Sequence, residues 1–516
     1  MSKLLFDTLG FLGRCASNIA RHTYASRLDT RKGHGLFHTL LTGTVDRTSG
    51  ARFSTEKEQL KIFPSRAKGL LVDGEKKRLS LDDSFKHVLV VAQTGAGKTT
   101  KYIIPNVLQL AENNNSVIVT DPSGEIFSQT SGYMQSKGFK VLKFDPTDPE
   151  HSIYYNPLRY IFRYSGDWVE IDQIKLNLLA KSLVASVLTG HDDAYWRTGA
   201  EDLIEFFTQS LRYAPKEYHN LYNVHRLIET MTPDGEQLLD FIEKYLDEPG
   251  LQDKWLGYIH SEGKTLSSHL ASARMALKAL GNSHIAKITS RNSIRFSDLK
   301  KEKTILYLTF PVNEASYYTF LINLFYTQLF HEYMADLPQK DDLPLFILYD
   351  EFGHANIPNF DMVATNIRKY RVSLSLVLQS FSQLEKQYGY HSAKTIIEGG
   401  VNSKLFFAGA SLDTASSIEN LLGKVVREEF SLSSDVGGYS HRNEYNLLNS
   451  DEIRTLPEHQ AFFITGNKKP ILLDVTPVYH NRKYKDKYRF GEAFITPNNF
   501  HRFELKCVID DLNKER

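Results

Sequence analysis

The run His87–Thr100, H-V-L-V-V-A-Q-T-G-A-G-K-T-T, constrains what this chain can fold into more than any other stretch. Val88–Val91 is a short apolar, β-branched run of the kind that forms a buried parallel strand. A glycine-rich turn, Thr94-Gly95-Ala96-Gly97, follows at once. After Lys98, Thr99 and Thr100 the apolar residues Ile103, Ile104, Val107, Leu108 and Ala111 recur at helical spacing. Strand, glycine-rich turn, Lys-Thr and helix together make the context of a phosphate-binding loop. Backbone amides freed at the helix start point at phosphates, and glycines let the backbone come close. In that role residues Ala92 to Thr100 form the cradle. Lys98 reaches the β- and γ-phosphates of ATP, and the Thr99 hydroxyl ligates Mg²⁺. Ala92 stands where the pattern G-x-x-x-x-G-K-[ST] asks for glycine. A chance strand–helix turn is the competing reading.

Alternating strands and helices surround this loop. Ser116–Thr120 and Gly138–Phe144 are predicted strands, ending at Asp121-Pro122 and Asp145-Pro146. Asp121 reads equally as the N-cap of a helix opened by Pro122 and as a neighbour of the active site, at a strand's carboxyl end. Between 166 and about 293 strand signals stop and helical periodicity takes over. Helices are predicted at Ile174–Leu188, Trp196–Tyr213, Gln237–Leu246 and Leu266–Leu280. The fold class is therefore α/β, a mostly parallel helix-flanked sheet with an inserted all-α domain. Trp196 and Trp255 in that insertion read either as core or as stacking surfaces for nucleic acid.

The sheet resumes at Thr304–Thr309, followed by a long apolar helix, Ser316 to about Met334. Leu345–Tyr349 is then a buried strand ending in Asp350-Glu351. Asp350 is placed to hold the Mg²⁺ shell and Glu351 to polarise an attacking water. The alternative is a capping Asp beside a surface Glu. The next strand, Val372–Leu378, delivers Gln379 as a sensor of the γ-phosphate. The basic cluster Arg368-Lys369-Tyr370-Arg371 precedes it. It suits a helix C-terminus, or offers an arginine to a neighbouring subunit's phosphates. Lys404–Ala408, Glu458–Gly466 and Pro470–Val475 read as further strands and Thr414–Leu422 as a helix.

Charge and cysteine content narrow the setting. The 516 residues carry a net charge of +1, so any basic surface is local. Residues 1–80 hold fifteen Lys or Arg against seven Asp or Glu, an arm suited to nucleic acid or anionic lipid, or a solvated surface. Two cysteines, Cys15 and Cys507, exclude a disulfide framework and zinc-ligand spacing. No stretch is long and apolar enough to span a membrane. A soluble, cytoplasmic chain is expected, peripheral to the membrane at most.

With these motifs in order, the chain resembles the RecA-like P-loop motor ATPases and, more narrowly, the TraG/VirD-type coupling proteins of type IV secretion and conjugation. Carrying the resemblance are G-A-R-F-S-T (50–55), the loop itself, D-P-S-G-E-I-F-S-Q-T-S-G-Y (121–133) and Asn156-Pro157-Leu158. Y-W-R-T-G-A-E-D-L-I (195–204), L-Y-D-E-F-G (348–353), I-P-N-F (357–360), R-K-Y-R (368–371), L-Q-S-F-S-Q-L (378–384) and L-N-S-D-E-I-R-T-L-P (448–457) continue it. The resemblance implies a homohexameric ATPase that receives single-stranded DNA with its relaxase and drives it towards a secretion channel. It implies nucleotide-site roles for Lys98, Thr99, Asp350, Glu351 and Gln379, with Arg368 the trans arginine and Arg371 its competitor. The family's usual N-terminal transmembrane helices have no counterpart here, so either a separate membrane anchor protein is expected to recruit the chain or it belongs to a cytosolic subgroup. A HerA/FtsK-like double-stranded DNA translocase and a cargo platform using ATP only for assembly are the other readings. The segments expected are 1–75 (basic), 76–165 and 296–480 (the nucleotide-binding domain), 166–295 (all-α) and 481–516 (tail).

Overall fold

The computed structural model describes residues 45–166, 168–188, 194–261, 263–431 and 439–515. Most of the basic arm, with Cys15, lies outside them. Contacts divide the chain into two units, one of residues up to Ile62 with Phe406–Asp474, the other of Phe63–Leu405 with Val475–Arg516.

Seven strands of the main sheet run through the larger unit, the last ending past its boundary at Leu405: β1 (Val88–Val91), β2 (Ser116–Asp121), β3 (Lys140–Phe144), β4 (Thr304–Thr309), β5 (Leu345–Tyr349), β6 (Val372–Leu378) and β7 (Ser403–Phe407). Their order is β7-β1-β6-β5-β2-β4-β3. Every pairing from β1 across to β3 is parallel. All residues of β1, β2, β4, β5 and β6 are buried, as expected of strands covered by helices on both faces. Only β3, at the sheet's edge, exposes side chains, including Lys140, and charge on an edge discourages pairing with other chains. β3 starts two residues later than expected. The helix Glu125–Ser136 ends through Gly138, at φ 76, with the amide of Phe139 donating to the Met134 carbonyl at 3.2 Å. These two residues therefore close a helix instead of opening a strand.

The strand order sets up the site. β1, with the glycine-rich turn, and β5, ending at Asp350-Glu351, flank β6, so three carboxyl ends converge at one edge of the sheet. The long helix Ala315–Ala335 connects β4 to β5. Its Tyr326 hydroxyl bonds Thr120 Oγ1 of β2 at 2.7 Å.

Between β3 and β4 the chain forms a two-stranded hairpin, Phe162–Ser165 with Trp168–Ile171. Seven helices follow, from Gln173–Ala185 to Ser283–Ile288. The hairpin and the helices Leu221–Thr230 and Pro249–Ile259 were not anticipated, although Leu221, Val224, Leu227 and Ile228 recur at helical spacing and are buried. Trp255 is core: it is 4% exposed and stacks on Phe206 at 6.2 Å, so the stacking role considered for it is withdrawn. Trp196 remains 38% exposed.

The segment after Val475 is a strap. Asn481 donates to the Gly74 carbonyl at 2.8 Å, Ala493 N to Ser131 Oγ at 2.9 Å, and Asn498 to the Pro149 and Ser152 carbonyls. It ends in the helix Val508–Glu515, whose Val508, Ile509 and Leu512 are buried. Val508 N meets Asn223 Oδ1 at 2.8 Å, and Asp510 pairs with Arg226. Composition marked this stretch as a charged tail because its apolar residues are too sparse to show a period.

The smaller unit joins Val45–Gly50, Lys424–Ser431 and Tyr439–Asn446 in an antiparallel sheet. Gln460–Thr465 pairs antiparallel with Ile471–Asp474. Among the described residues, no helix is long and apolar enough to cross a membrane.

Candidate nucleotide site

The glycine-rich turn leaves β1 at Ala92, whose amide donates to the Leu378 carbonyl of β6 at 2.9 Å. Ala92 is buried and is not among the residues with positive φ. A methyl group is therefore tolerated where the sequence pattern asks for glycine. Gly95 and Gly97, at φ 83 and 82, are the positions whose backbone needs glycine. Nothing lies within 4 Å of where a Cβ on Gly95 would sit, leaving the turn's outer side open. Lys101 folds back over the turn, its Nζ donating to the Ala96 carbonyl at 2.7 Å.

The helix after the turn begins with a π-helical stretch, Thr99–Ile103, before continuing as Ile104–Leu110. Ile104 N reaches back to the Thr99 carbonyl, and Pro105 lacks the N–H that a regular turn would use next. Widened turns of this sort concentrate at functional sites.

Lys98 Nζ lies 3.2 Å from Asp350 Oδ1 and 3.3 Å from Glu351 Oε1. The ammonium thus joins two acids more than 250 residues away in sequence. Asp350 is 7% exposed, and burial raises its carboxyl above the usual range, with Lys98 opposing. Glu351 sits in the left-handed region at φ 58, a conformation that costs ~1 kcal/mol or more in a non-glycine residue. What holds it is the residue behind. Phe352 is fully buried among Tyr349, Phe360 and Tyr388, at 5.1, 4.7 and 6.0 Å between ring centroids. Burying that ring contributes about 2 kcal/mol, enough to pin the turn.

Gln379 follows β6 directly, half-buried, with its amide donating to Gln383 Oε1 at 3.0 Å. A Cβ on Gly353 would lie 2.4 Å from the same Gln383 oxygen. Gln383 thereby ties Gln379 to the Glu351 turn. It was visible in sequence only as part of L-Q-S-F-S-Q-L, with no pattern to set it apart.

Arg368 and Arg371 lie at the opposite end of β6. A seven-residue strand spans roughly 23 Å, so neither arginine can serve the site of its own chain. Arg371 is also committed elsewhere: its Nη1 donates to the carbonyls of Gln339, Lys340 and Asp342 at 3.2–3.3 Å. Arg368 is exposed.

Asp121 closes β2. Its Oδ2 accepts from Phe127 N at 2.7 Å, so it caps the helix Glu125–Ser136 from a distance. The residue at the helix start is Gly124, at φ 71, and Pro122 belongs to the turn instead of the first helical position. Burial pushes the Asp121 carboxyl up to about 6, and the nearby charge of Asp350 adds to the shift. The folded chain therefore binds this proton where the unfolded chain has released it, and stability falls as pH rises from about 4 to 6. Asp121→Asn keeps the acceptor and removes the charge. Urea unfolding in EDTA without nucleotide is expected to lose that slope and to show about 1–3 kcal/mol more stability at pH 7.5.

A family model for type IV secretory system conjugative DNA transfer matches residues 47–497. The chain belongs to that family. It is 25% identical over 425 residues to the protein VirD4 of Rhizobium radiobacter, covering 77% of this chain and 58% of that one. It is 22% identical to the conjugal transfer protein TraG of Rhizobium radiobacter, covering 81% and 67%. The chain thus spans less than two thirds of the length of this VirD4 and of two others like it. Among solved structures it is similar to the bacterial conjugative coupling protein TrwBdeltaN70 in an unbound form. The TM-score is 0.65 at 18% identity, covering 83% of this chain and 95% of that one. A structure described as TrwB in complex with ADP and Mg2+ gives 0.64 at 17%, covering 87% and 100%. The fold of this family member is that of a RecA-like P-loop NTPase with a mostly parallel sheet.

Proposed function

We propose that this chain is the ATP-hydrolysing coupling motor of conjugative DNA transfer. It receives single-stranded DNA with its relaxase and drives it into a type IV secretion channel from the cytoplasmic side. The observation that carries the reading is the Lys98–Asp350–Glu351 cluster under a glycine turn, in a chain of this family. Relatives with the same fold are described with an ATP analogue and with ADP and Mg2+. The donors here suit that pair: backbone amides for phosphate, with a hydroxyl and a carboxylate as hard oxygen ligands. Thr99 and Asp350 would hold Mg²⁺, which supplies charge neutralisation on the phosphate oxygens. Residues Ala92 to Thr100 orient the phosphates through their amides. Lys98 swings from the carboxylates to the β- and γ-phosphates. Glu351, freed of that ion pair, orients the water and takes its proton. Gln379 reports on the γ-phosphate.

Neither Arg368 nor Arg371 reaches this site within its own chain, since both lie at the far end of β6. Arg368, exposed at that end, serves the neighbouring subunit in a homohexamer. Arg368→Ala is expected to lower ATP hydrolysis about 10³-fold with nucleotide affinity kept. Mixing it with Glu351→Gln subunits should restore activity, because each supplies what the other lacks. No recovery on mixing would place Arg368 outside the trans site. Arg371→Ala should lower thermal stability and leave hydrolysis per folded subunit unchanged. The functional reading itself is tested by hydrolysis with and without DNA: stimulation by single strands supports it. A preference for duplex favours a double-stranded DNA translocase, and indifference to DNA favours a platform.

A further inference from the structure

The hairpin ahead of the helical stretch stands between two clefts. Along it Phe162, Val169 and Ile171 face inward, while Arg163, Ser165, Trp168 and Glu170 face out. Trp168 is 62% exposed, an indole surface that the fold itself does not use. On one side is a polar cleft of about 730 Å³ with Arg159, Arg163 and Arg295 in its lining. On the other is a cleft of about 420 Å³ that Trp168 shares with Lys216.

Three of the cations are held in place. The Arg159 guanidinium lies 4.7 Å over the Tyr164 ring, and Lys216 lies 5.4 Å from the same ring. Lys216 Nζ also donates to the Gly166 carbonyl at 3.2 Å. Arg163 gives one nitrogen to Asp172 at 3.0 Å, yet its side chain stays 63% exposed. Three acids face these groups: Asp172 on Arg163, Glu170 across the hairpin from Arg163, and Asp298 in the polar cleft. A fourth, Glu332, is paired with Lys175. Among the described residues four cations thus face three carboxylates, a surplus of one, on a hairpin that also carries an exposed indole. Flat guanidinium groups match phosphate oxygens two at a time, and a free aromatic face beside such groups is the arrangement that holds single strands.

We propose that this hairpin is a contact site for single-stranded nucleic acid, with a base stacked on Trp168 and phosphates taken by Arg159, Arg163, Arg295 and Lys216. It rests on the reading of the chain as a single-strand motor and adds a surface outside the nucleotide site. The test uses the full chain and a fluorescent 20-nucleotide poly-dT, followed by anisotropy and tryptophan emission. The oligonucleotide should quench tryptophan emission. Trp168→Ala should remove most of that quench and weaken binding about tenfold. Arg163→Ala with Arg295→Ala should weaken binding and flatten the log–log salt dependence by about 1.4, two phosphates' worth for a single strand. ATP hydrolysis without DNA should stay unchanged in both variants, whose substitutions are at exposed positions. Variants that bind like the parent with the same salt slope overturn the hairpin site and leave the motor reading standing. A parent chain that binds no oligonucleotide overturns both. Displacement of poly-dT by polyglutamate at equal charge would mark a general anion site and overturn the nucleic-acid assignment.

Discussion

Glu351→Gln is expected to bind ATP normally and hydrolyse it at least about 10²-fold more slowly, the range lost with a positioned general base. Glutamine preserves size and left-handed backbone strain alike, so the turn held by Phe352 should persist. What changes is basicity, because an amide cannot accept the proton of the attacking water. The substitution also weakens the Lys98 contact at 3.3 Å, which frees the ammonium for phosphate. Affinity for nucleotide should therefore hold or rise while turnover collapses. Equilibrium binding of a fluorescent ATP analogue beside single-turnover hydrolysis separates the two. A fall in affinity that matches the fall in rate would show that Glu351 acts in binding and not in chemistry.

Lys98→Ala is expected to fail in two distinct ways. Nucleotide binding should weaken by 10²-fold or more, as the phosphates lose their cation. The folded state should also lose up to about 3 kcal/mol, because Asp350 is left as a buried carboxylate without its partner. The loss has a pH signature. Without the ammonium, the Asp350 carboxyl rises further above its unfolded value. The cost is then fully present at high pH and disappears as pH falls through that raised value and the carboxyl takes a proton. Adding Asp350→Asn to Lys98→Ala should recover most of the stability at pH 8 and none of the nucleotide binding. Urea unfolding of the single and double variants in EDTA measures it. Equal stability in all of them would mean the ion pair contributes nothing in the nucleotide-free chain.

The candidate nucleotide site is largely legible in the sequence. Gly95, Gly97, Lys98, Asp350 and Glu351 each follow a strand end, where an apolar run, a glycine and a charge fall within a few residues. Such signals are local, and they survive any packing that keeps the strand buried. Gln383, Phe352 and Asp121 were harder to read. Gln383 acts on Gly353 and Gln379 by touching them, and nothing in its neighbours announces that. Phe352 looks like any apolar residue until its ring is found wedged behind a strained glutamate. Asp121 offered two roles at once, and the structure gives it a helix amide at 2.7 Å together with the field of Asp350.

The sequence alone determined a parallel α/β sheet interrupted by helices, a glycine-rich turn before Lys98 and a carboxylate pair, because periodicity, glycine positions and strand-end charges are short-range properties. The tertiary structure alone decided the rest: that Lys98 meets Asp350 and Glu351 across β6, and that Arg371 is bound to three carbonyls while Arg368 is exposed. It also decided that Trp255 is core and Trp168 is not, and that the charged tail straps the larger unit together. Each of these depends on which residues, hundreds of positions apart, the strand order brings side by side. A local pattern carries no information about its distant partner.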